Sequence, residues 1–431
     1  MKGNIQDSSF VVTTGPPQQD KRQRISHVRS YIRKSRLQQE QKLARRRSAM
    51  RPPERPLKKE MDLSWLPVSD AVRVRLRTFL HHYIEASAEI HPFFYSVVPA
   101  VDFHVPLMSA KLVNASAWDD LNTNGEIGNL TFFQRSIADE IMSDYLAESQ
   151  LGNSDANLLA FLTLLAFEII NDDRKAYNRI KNKAYQLVSM RGGLDKLGFG
   201  GSLKISLLLM DQLERVVLHF PPEETTPRWE HRASELLLLQ PPDFKIFTIH
   251  PCQKDSWSGI STIRLLSDFY QLVTFPIRYR LLSDDLTCQK HILSEWYILR
   301  DRLLMALKTN SFSHETKFDG ILQKAILLFI SDELDSHSRH RHVIEFRHLL
   351  CEFRIEIYSG PLLGALIWCL AIGSRHTSPG SIRKWFMMQL MRVACPLSLD
   401  YYDEVSNNLN IILTGLDAVI TLGNVERKVD S

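Results

Sequence analysis

The chain has 431 residues, of which 44% are hydrophobic and 24% charged, which argues against global disorder and predicts a sizeable core. Its net charge of +4 is uneven: residues 1–60 carry sixteen Lys and Arg against five Asp and Glu, and the remainder carries 37 against 44. Five widely spaced cysteines, with no C-x2-C pair among them, argue against a disulfide framework and for a reducing compartment.

Residues 1–60 form a basic arm followed by a proline-rich linker. We predict that residues 1–20 are flexible and that residues 21–50, which contain neither Pro nor Gly, form a basic helix at least when bound. Pro52, Pro53 and Pro56 then end that helix. The cations of this arm are Lys21, Arg22, Arg24, Arg29, Arg33, Lys34, Arg36, Lys42, Arg45, Arg46 and Arg47.

A cluster of cations of this size is typical of nuclear import signals and of contacts to nucleic-acid phosphates, which add affinity without base specificity. We therefore predict that these residues bind an import receptor or a nucleic-acid backbone. The alternative is a solvated tail with no specific partner. A leucine-zipper basic region is disfavoured, because the prolines interrupt the coiled coil that would have to follow.

The body, residues 61–431, is predicted to be an all-α, multi-helix array. Ser69 and Asp70 indicate a helix start before an apolar-periodic segment. Residues 221–259, rich in proline, are predicted to be an irregular loop or hinge. Further apolar periods of 3.6 residues predict helices near 127–149, 155–170, 173–191, 202–219, 260–282, 290–308, 316–334, 342–357, 361–373, 379–394 and 399–420.

No pattern in the chain indicates catalysis, a cofactor or a metal, and we predict a protein that is not an enzyme. His337, His340 and His342 superficially resemble a metal tract, but the arginines between them would repel a divalent cation, so a polar loop between helices is favoured. The glycine-rich run 192–201 lacks the spacing of phosphate-binding loops and predicts a helix connector, with Gly192 in the left-handed conformation. An unpatterned active site is the remaining alternative.

Three segments together resemble the fungal-specific transcription-factor family. The first is the opening at 10–47. The second is Leu187-Val-Ser-Met-Arg-Gly-Gly-Leu-Asp-Lys-Leu-Gly at 187–198, with the helix after it that ends in Phe220-Pro221-Pro222. The third is Leu366-Ile-Trp-Cys-Leu-Ala-Ile-Gly at 366–373 with Arg383-Lys-Trp-Phe at 383–386. The resemblance implies a helical regulatory region. Members that read DNA use six closely spaced cysteines near the N-terminus, whereas residues 1–251 here contain none.

The resemblance and the basic arm together predict a transcription-related regulator in the nucleus, with shuttling to the cytoplasm as an option. Its expected partners are an import receptor and other transcription regulators, in a homo- or heterodimer, and its DNA contact is at most non-specific. Control of fungal metabolic or secondary-metabolite genes is the setting that the resemblance implies. No apolar run reaches the length that a membrane-spanning helix needs, so we predict that the protein has no membrane partner. The alternative is a helical interaction scaffold with no role at DNA.

Overall fold

The computed structural model describes residues 63–90, 104–147, 154–218, 271–272, 286–308, 317–330, 336–353, 363–395, 402, 403, 405, 406 and 409. Of this part of the chain 88% is helical, in eleven helices and without strands, which confirms the predicted all-α class. The predicted hinge at 221–259 and the basic arm lie outside the described residues.

The helices are numbered here in chain order. They are α1 (Asp70–Ile90), α2 (Val105–Thr123), α3 (Asn129–Ala147), α4 (Asp155–Asn171), α5 (Arg174–Met190), α6 (Ser202–Leu218), α7 (Leu286–Lys308), α8 (Lys317–Ile330), α9 (Ser336–Glu352), α10 (Leu363–His376) and α11 (381–395). Two short 3₁₀ turns, Leu194–Lys196 and Phe199–Gly201, lie between α5 and α6.

Polar caps explain why the central helices begin and end where they do. The Ser154 hydroxyl accepts a hydrogen bond from a backbone N–H of α4, and the Asp173 carboxylate accepts one from Ala176 N at 2.9 Å. After α5, Gly192 has φ +86°, and Gly193 N donates to Val188 O at 3.0 Å, so the helix ends in a Schellman motif. The predicted glycine connector is confirmed.

Helix α2 lies at the centre of the N-terminal half and packs against α1, α3 and α4. Side chains on all of its faces are buried, including polar ones that hydrogen-bond to its neighbours. Asn114 Nδ2 donates to Thr163 O of α4 at 2.8 Å, and Ser116 Oγ donates to Gln134 Oε1 of α3 at 2.9 Å. Because both bonds are buried, they fix how α2 is turned against these two helices.

The C-terminal half continues the same hydrophobic core. Helix α8 packs against α7, α9 and α10, and α10 also contacts α6, which in turn packs on α4. One apolar cluster therefore extends from Leu63 to Leu409. Within it the Phe386 ring of α11 stacks on Phe346 of α9, with ring centroids 5.4 Å apart.

Two sequence predictions differ from the structure. Helix α2 was not predicted from the apolar period of 3.6 residues. A helix that is buried on all sides has no polar face, so its apolar residues do not alternate with polar ones at that period. The segment with His337, His340 and His342 forms the first turns of α9 rather than a loop. Its polar side chains are tolerated there because this end of the helix is partly solvated, with His337 and His340 exposed.

In the part of the chain that the structure describes, no helix is long and apolar enough to cross a membrane.

We expect Gly373→Ala to destabilise the protein by about 1–3 kcal/mol, because a Cβ at this position of α10 would overlap the Phe386 ring. That ring is held between Phe346 and Trp385 and has little room to move. Gly320→Ala in α8 is the matched control. Its Cβ would meet only Leu349 Cδ1 at an ordinary 3.8 Å, so we expect a gain of about 0.5–1 kcal/mol. Urea unfolding of both variants measures the difference, and a stabilised Gly373→Ala variant would contradict it.

Candidate functional site

The predicted site residues from Lys21 to Arg47 lie outside the described part of the chain. Within the described part, the candidate site lies on the helical body. An open depression of about 520 Å³ lies between α3 and α5, which we call the α3–α5 groove. Its lining residues are Asp139, Glu140, Ser143, Asp144, Arg179 and Lys183.

Helical spacing explains why these side chains meet. The α3 residues are one and four positions apart, and the two cations of α5 are four apart, so each set follows one side of its helix. The result is a row of carboxylates facing a row of cations across the groove. Arg179 Nη2 bonds Asp139 Oδ2 at 3.0 Å and joins the two rows.

A buried ion pair is linked to the groove through Asp139. Arg135 of α3 binds Glu168 of α4 through Nε and also binds Asp139 Oδ2 through Nη1 at 2.8 Å. The Arg135 and Glu168 side chains are only 10% and 3% exposed, whereas Arg179 is 57% exposed. A chain of alternating charges thus runs from the core through Asp139 to the surface.

Burial and neighbouring charges act in opposite directions on this pair. Burial lowers the pKa of Arg135, but the carboxylates of Glu168 and Asp139 outweigh burial and the net shift is upward. Burial raises the pKa of Glu168, and Arg135 only partly offsets that. Arg135 therefore remains a cation, and removal of it would leave a carboxylate buried without its main partner.

The groove has the chemistry of a binding surface for a polar partner. Its carboxylates can accept from cationic or N–H groups of a partner, and Arg179 and Lys183 can pair with carboxylates. Its one hydroxyl, Ser143 Oγ, donates to Asp139 O of its own helix at 2.8 Å. That bond is the common back-bond of a helical serine and not the activation of a nucleophile by a base.

A second polar cluster joins α5 to α6 and does not line the groove. Lys181 Nζ contacts Asp211 Oδ1 at 2.8 Å and Glu214 Oε2 at 2.7 Å. Burial lowers the pKa of Lys181, but the two carboxylates outweigh burial and raise it overall. Burial, with Glu214 and Asp211, holds the pKa of the Tyr177 hydroxyl well above its usual range. These fixed charge states suit a structural tie between helices better than proton transfer near neutral pH.

Lys111 of α2 is a further buried cation, 8% exposed. Burial lowers its pKa to about 8, and Cys395 of α11 opposes that shift. Burial likewise raises the pKa of Cys395 to about 12, with Lys111 opposing. The thiol is therefore protonated at neutral pH and is a poor nucleophile.

Among the described residues, no group of three His, Cys, Asp or Glu side chains is placed to hold a metal ion. His342 Nδ1 instead lies 3.6 Å from Glu345 Oε2, which also pairs with Lys324 of α8. Of the three described cysteines, Cys369 is fully buried and acts as a small core residue.

The groove and both buried clusters were missed at the sequence level. The available signal was a lone charge inside an apolar stretch: Glu168 within 158–170 and Asp211 within 207–213. Such residues need a partner when buried, but their spacing does not reveal which one. Arg135 and Glu168 are 33 positions apart and meet only in the folded chain.

No family model, no curated protein and no solved structure matches the chain. The resemblance to the fungal-specific transcription-factor family therefore stays a prediction.

We expect Arg135→Ala to lower the free energy of unfolding by about 3–5 kcal/mol, because Glu168 would keep its burial and lose its counter-ion. Arg179→Ala is the control, since it shares Asp139 but is mostly exposed, and it should cost less than about 1 kcal/mol. Chemical denaturation at pH 7 measures both. Equal losses in the two variants would show that the buried pair has no special role.

Replacement of Lys111 by Met gives a pH test of the buried cation. The folded-state pKa of about 8 lies below the usual 10.5, so as the pH rises Lys111 loses its proton in the folded protein before it does so in the unfolded chain. The free energy of unfolding of the wild type therefore increases between these two pH values. At pH 7 we expect Lys111→Met to stabilise the protein by up to about 3 kcal/mol. By pH 10 most of that advantage should disappear. Urea unfolding at both pH values measures it, and an advantage independent of pH would rule out this cause.

Proposed function

We propose that this chain is a transcription-related regulator that acts through protein partners, with the α3–α5 groove as its contact surface on the helical body. The observation that carries the proposal is the groove itself: two facing rows of unlike charges on α3 and α5, with α3 tied to α4 by the buried Arg135–Glu168 pair. Charges held in place on rigid elements favour selective pairing with a charged partner, since little side-chain ordering remains to be done.

The arm contributes the second part of the proposal. The cations from Lys42 to Arg47 bind an import receptor, and the arm adds at most backbone contacts to DNA. The partners are other transcription regulators or a second copy of this chain, and the setting inferred from the family resemblance is a fungal metabolic gene set. The body has no assigned catalytic role.

A helical scaffold with no role at DNA is the second candidate. The same groove favours it, because a charged contact surface on the body does not require the basic arm. The two candidates differ in where the protein is found and in whether it occupies chromatin. Location and partner binding are therefore measured separately.

The location test compares the tagged wild-type protein with the triple variant Arg45→Ala, Arg46→Ala and Arg47→Ala. We expect the wild type in the nucleus and enriched at promoters by genome-wide occupancy, and the variant retained in the cytosol, because import receptors read clustered cations. A wild type that stays cytosolic with no chromatin signal in every growth condition would favour the scaffold.

The partner test uses two charge reversals on α5, one in a residue that lines the groove and one in a residue outside it. Lys183→Glu changes the groove, and Lys175→Glu makes the same change in an exposed residue of the first turn that does not line it. Proximity labelling followed by mass spectrometry should lose a subset of neighbours in Lys183→Glu only, by roughly tenfold if about 1.4 kcal/mol of binding depends on this charge. Identical neighbour sets in both variants would remove the groove from the proposal.

A further inference from the structure

The turn between α10 and α11 combines an exposed serine with a crowded set of cations. Ser378 is exposed and precedes Pro379, and Gly380, with φ +151°, ends the turn. Lys384 N donates to Gly380 O at 3.1 Å, which identifies Gly380 as the residue that caps α11. Glycine has no side chain to offer the first N–H groups of the helix, so these groups receive no capping oxygen from this position.

Three cations lie close to this turn. Arg375 is in the last turn of α10, and Arg383 and Lys384 are in the first turn of α11. Arg383 Nη1 bonds Asp172 Oδ2 at 3.3 Å, and Lys384 Nζ bonds Asn171 Oδ1 at 2.9 Å, which ties the turn to the end of α4.

Positive charge is crowded here. Burial lowers the pKa of Arg383, and Arg375 lowers it further against the pull of Asp172. Arg383 is 6% exposed and Asp172 is partly exposed, so a buried guanidinium depends on a carboxylate that water also solvates. An additional anion at this point would relieve repulsion between the two arginines.

We propose that Ser378 is a phosphorylation site, and that its phosphate is held by the start of α11 together with Arg375, Arg383 and Lys384. The donor is ATP and the enzyme a proline-directed protein kinase. The Ser378 Oγ–P bond forms as the bond between the γ-phosphorus and the bridging oxygen breaks; ADP leaves, and the hydroxyl proton passes to the kinase. This site does not depend on the α3–α5 groove or on a role in transcription.

Neighbouring hydroxyls do not share these properties. Thr377 is 9% exposed and its hydroxyl donates to Gly373 O, while Ser374 is fully buried and donates to Ala371 O. Ser378 is exposed and lies in one of two Ser/Thr-Pro dipeptides of the sequence; the other, Thr226-Pro227, is outside the described residues. Ser381, at the start of α11, is half-buried and is followed by Ile382, so Ser378 is the exposed hydroxyl of this turn that precedes a proline.

Phosphorylation should stabilise the turn between α10 and α11. Phosphoserine carries close to two negative charges above its second pKa of about 6, and a helix N-terminus and arginines are its preferred surroundings. Helix α11 packs against α9 through Phe386 and is bonded to the end of α4 through Arg383. Because α11 is part of the folded core in this way, capture of the phosphate at its start should stabilise the folded body.

The first experiment places phosphoserine directly at position 378 of the full chain by genetic encoding. Phosphoserine at Ser136 of α3 is the matched control, since Ser136 is exposed but is followed by Asp139 and Glu140 three and four residues on. We expect the melting temperature to rise by about 2 °C for position 378 at pH 7.5 and not to rise for position 136. The rise should shrink at pH 5.5, where the phosphate is a monoanion, and in an Arg375→Gln background.

The second experiment treats the folded full-length chain with a proline-directed kinase and labelled ATP. Label on the wild type and on Thr226→Ala, lost when Ser378→Ala is added to Thr226→Ala, supports the proposal. Absence of label on Thr226→Ala would contradict the proposal that Ser378 is phosphorylated. An unchanged or lower melting temperature for phosphoserine 378, or a rise that is the same at both pH values and in Arg375→Gln, would overturn capture by the cations.

Discussion

Burial of α2 on every side is the constraint on which the rest of the described structure depends. A helix with no solvent face depends on its neighbours for polar partners, and two of its buried side chains find them there: Asn114 bonds to α4 and Ser116 to α3. Asp120 at its other end accepts from Gly128 N at 2.9 Å and from Thr131 Oγ1 at 2.7 Å, which fixes where α3 begins. The helices around α2 are therefore positioned by directional bonds as well as by apolar packing.

The same need for partners organises the charges of the body. Glu168 and Asp211 are acids inside apolar stretches, and each is matched by a cation from an adjacent helix, Arg135 and Lys181. Such pairs add little net stability compared with apolar residues of similar volume at the same positions. Arrangements in which one member is buried without its partner are nevertheless strongly destabilised. They fix α3 against α4 and α5 against α6, while the Arg179–Asp139 bond joins the two rows of side chains that face the α3–α5 groove.

The C-terminal helices α9, α10 and α11 are positioned mainly by the fit of apolar side chains. Gly373 leaves room for the Phe386 ring, which stacks on Phe346, and the turn between α10 and α11 is tied to α4 through Asp172 and Arg383. Close apolar contact specifies this corner more than polar bonding does, because a ring that fills a glycine notch has few alternative positions. The cation-rich turn remains at the surface of this rigid corner.

Sequence patterns identified most of the described helices because a solvent-facing helix repeats its apolar residues every 3.6 positions. Helices α4, α5 and α6 begin and end within about one residue of the predicted limits, since caps such as Asp173 and Gly192 act locally. Helix α2 and the first turns of α9 were not predicted as helix. For α2 the reason is that burial on all sides removes the period.

The sequence by itself determined the all-α class, the positions of several helix ends and the separation of a basic arm from a mildly acidic body, because propensity, capping and charge count depend on residues close together in the chain. Only the tertiary structure decided that Arg135 meets Glu168, that Lys181 meets Asp211, and that the α3 carboxylates face Arg179 across a groove. These contacts join residues some thirty to forty positions apart, and they form because burial of an ionised group is costly until the fold brings it an opposite charge.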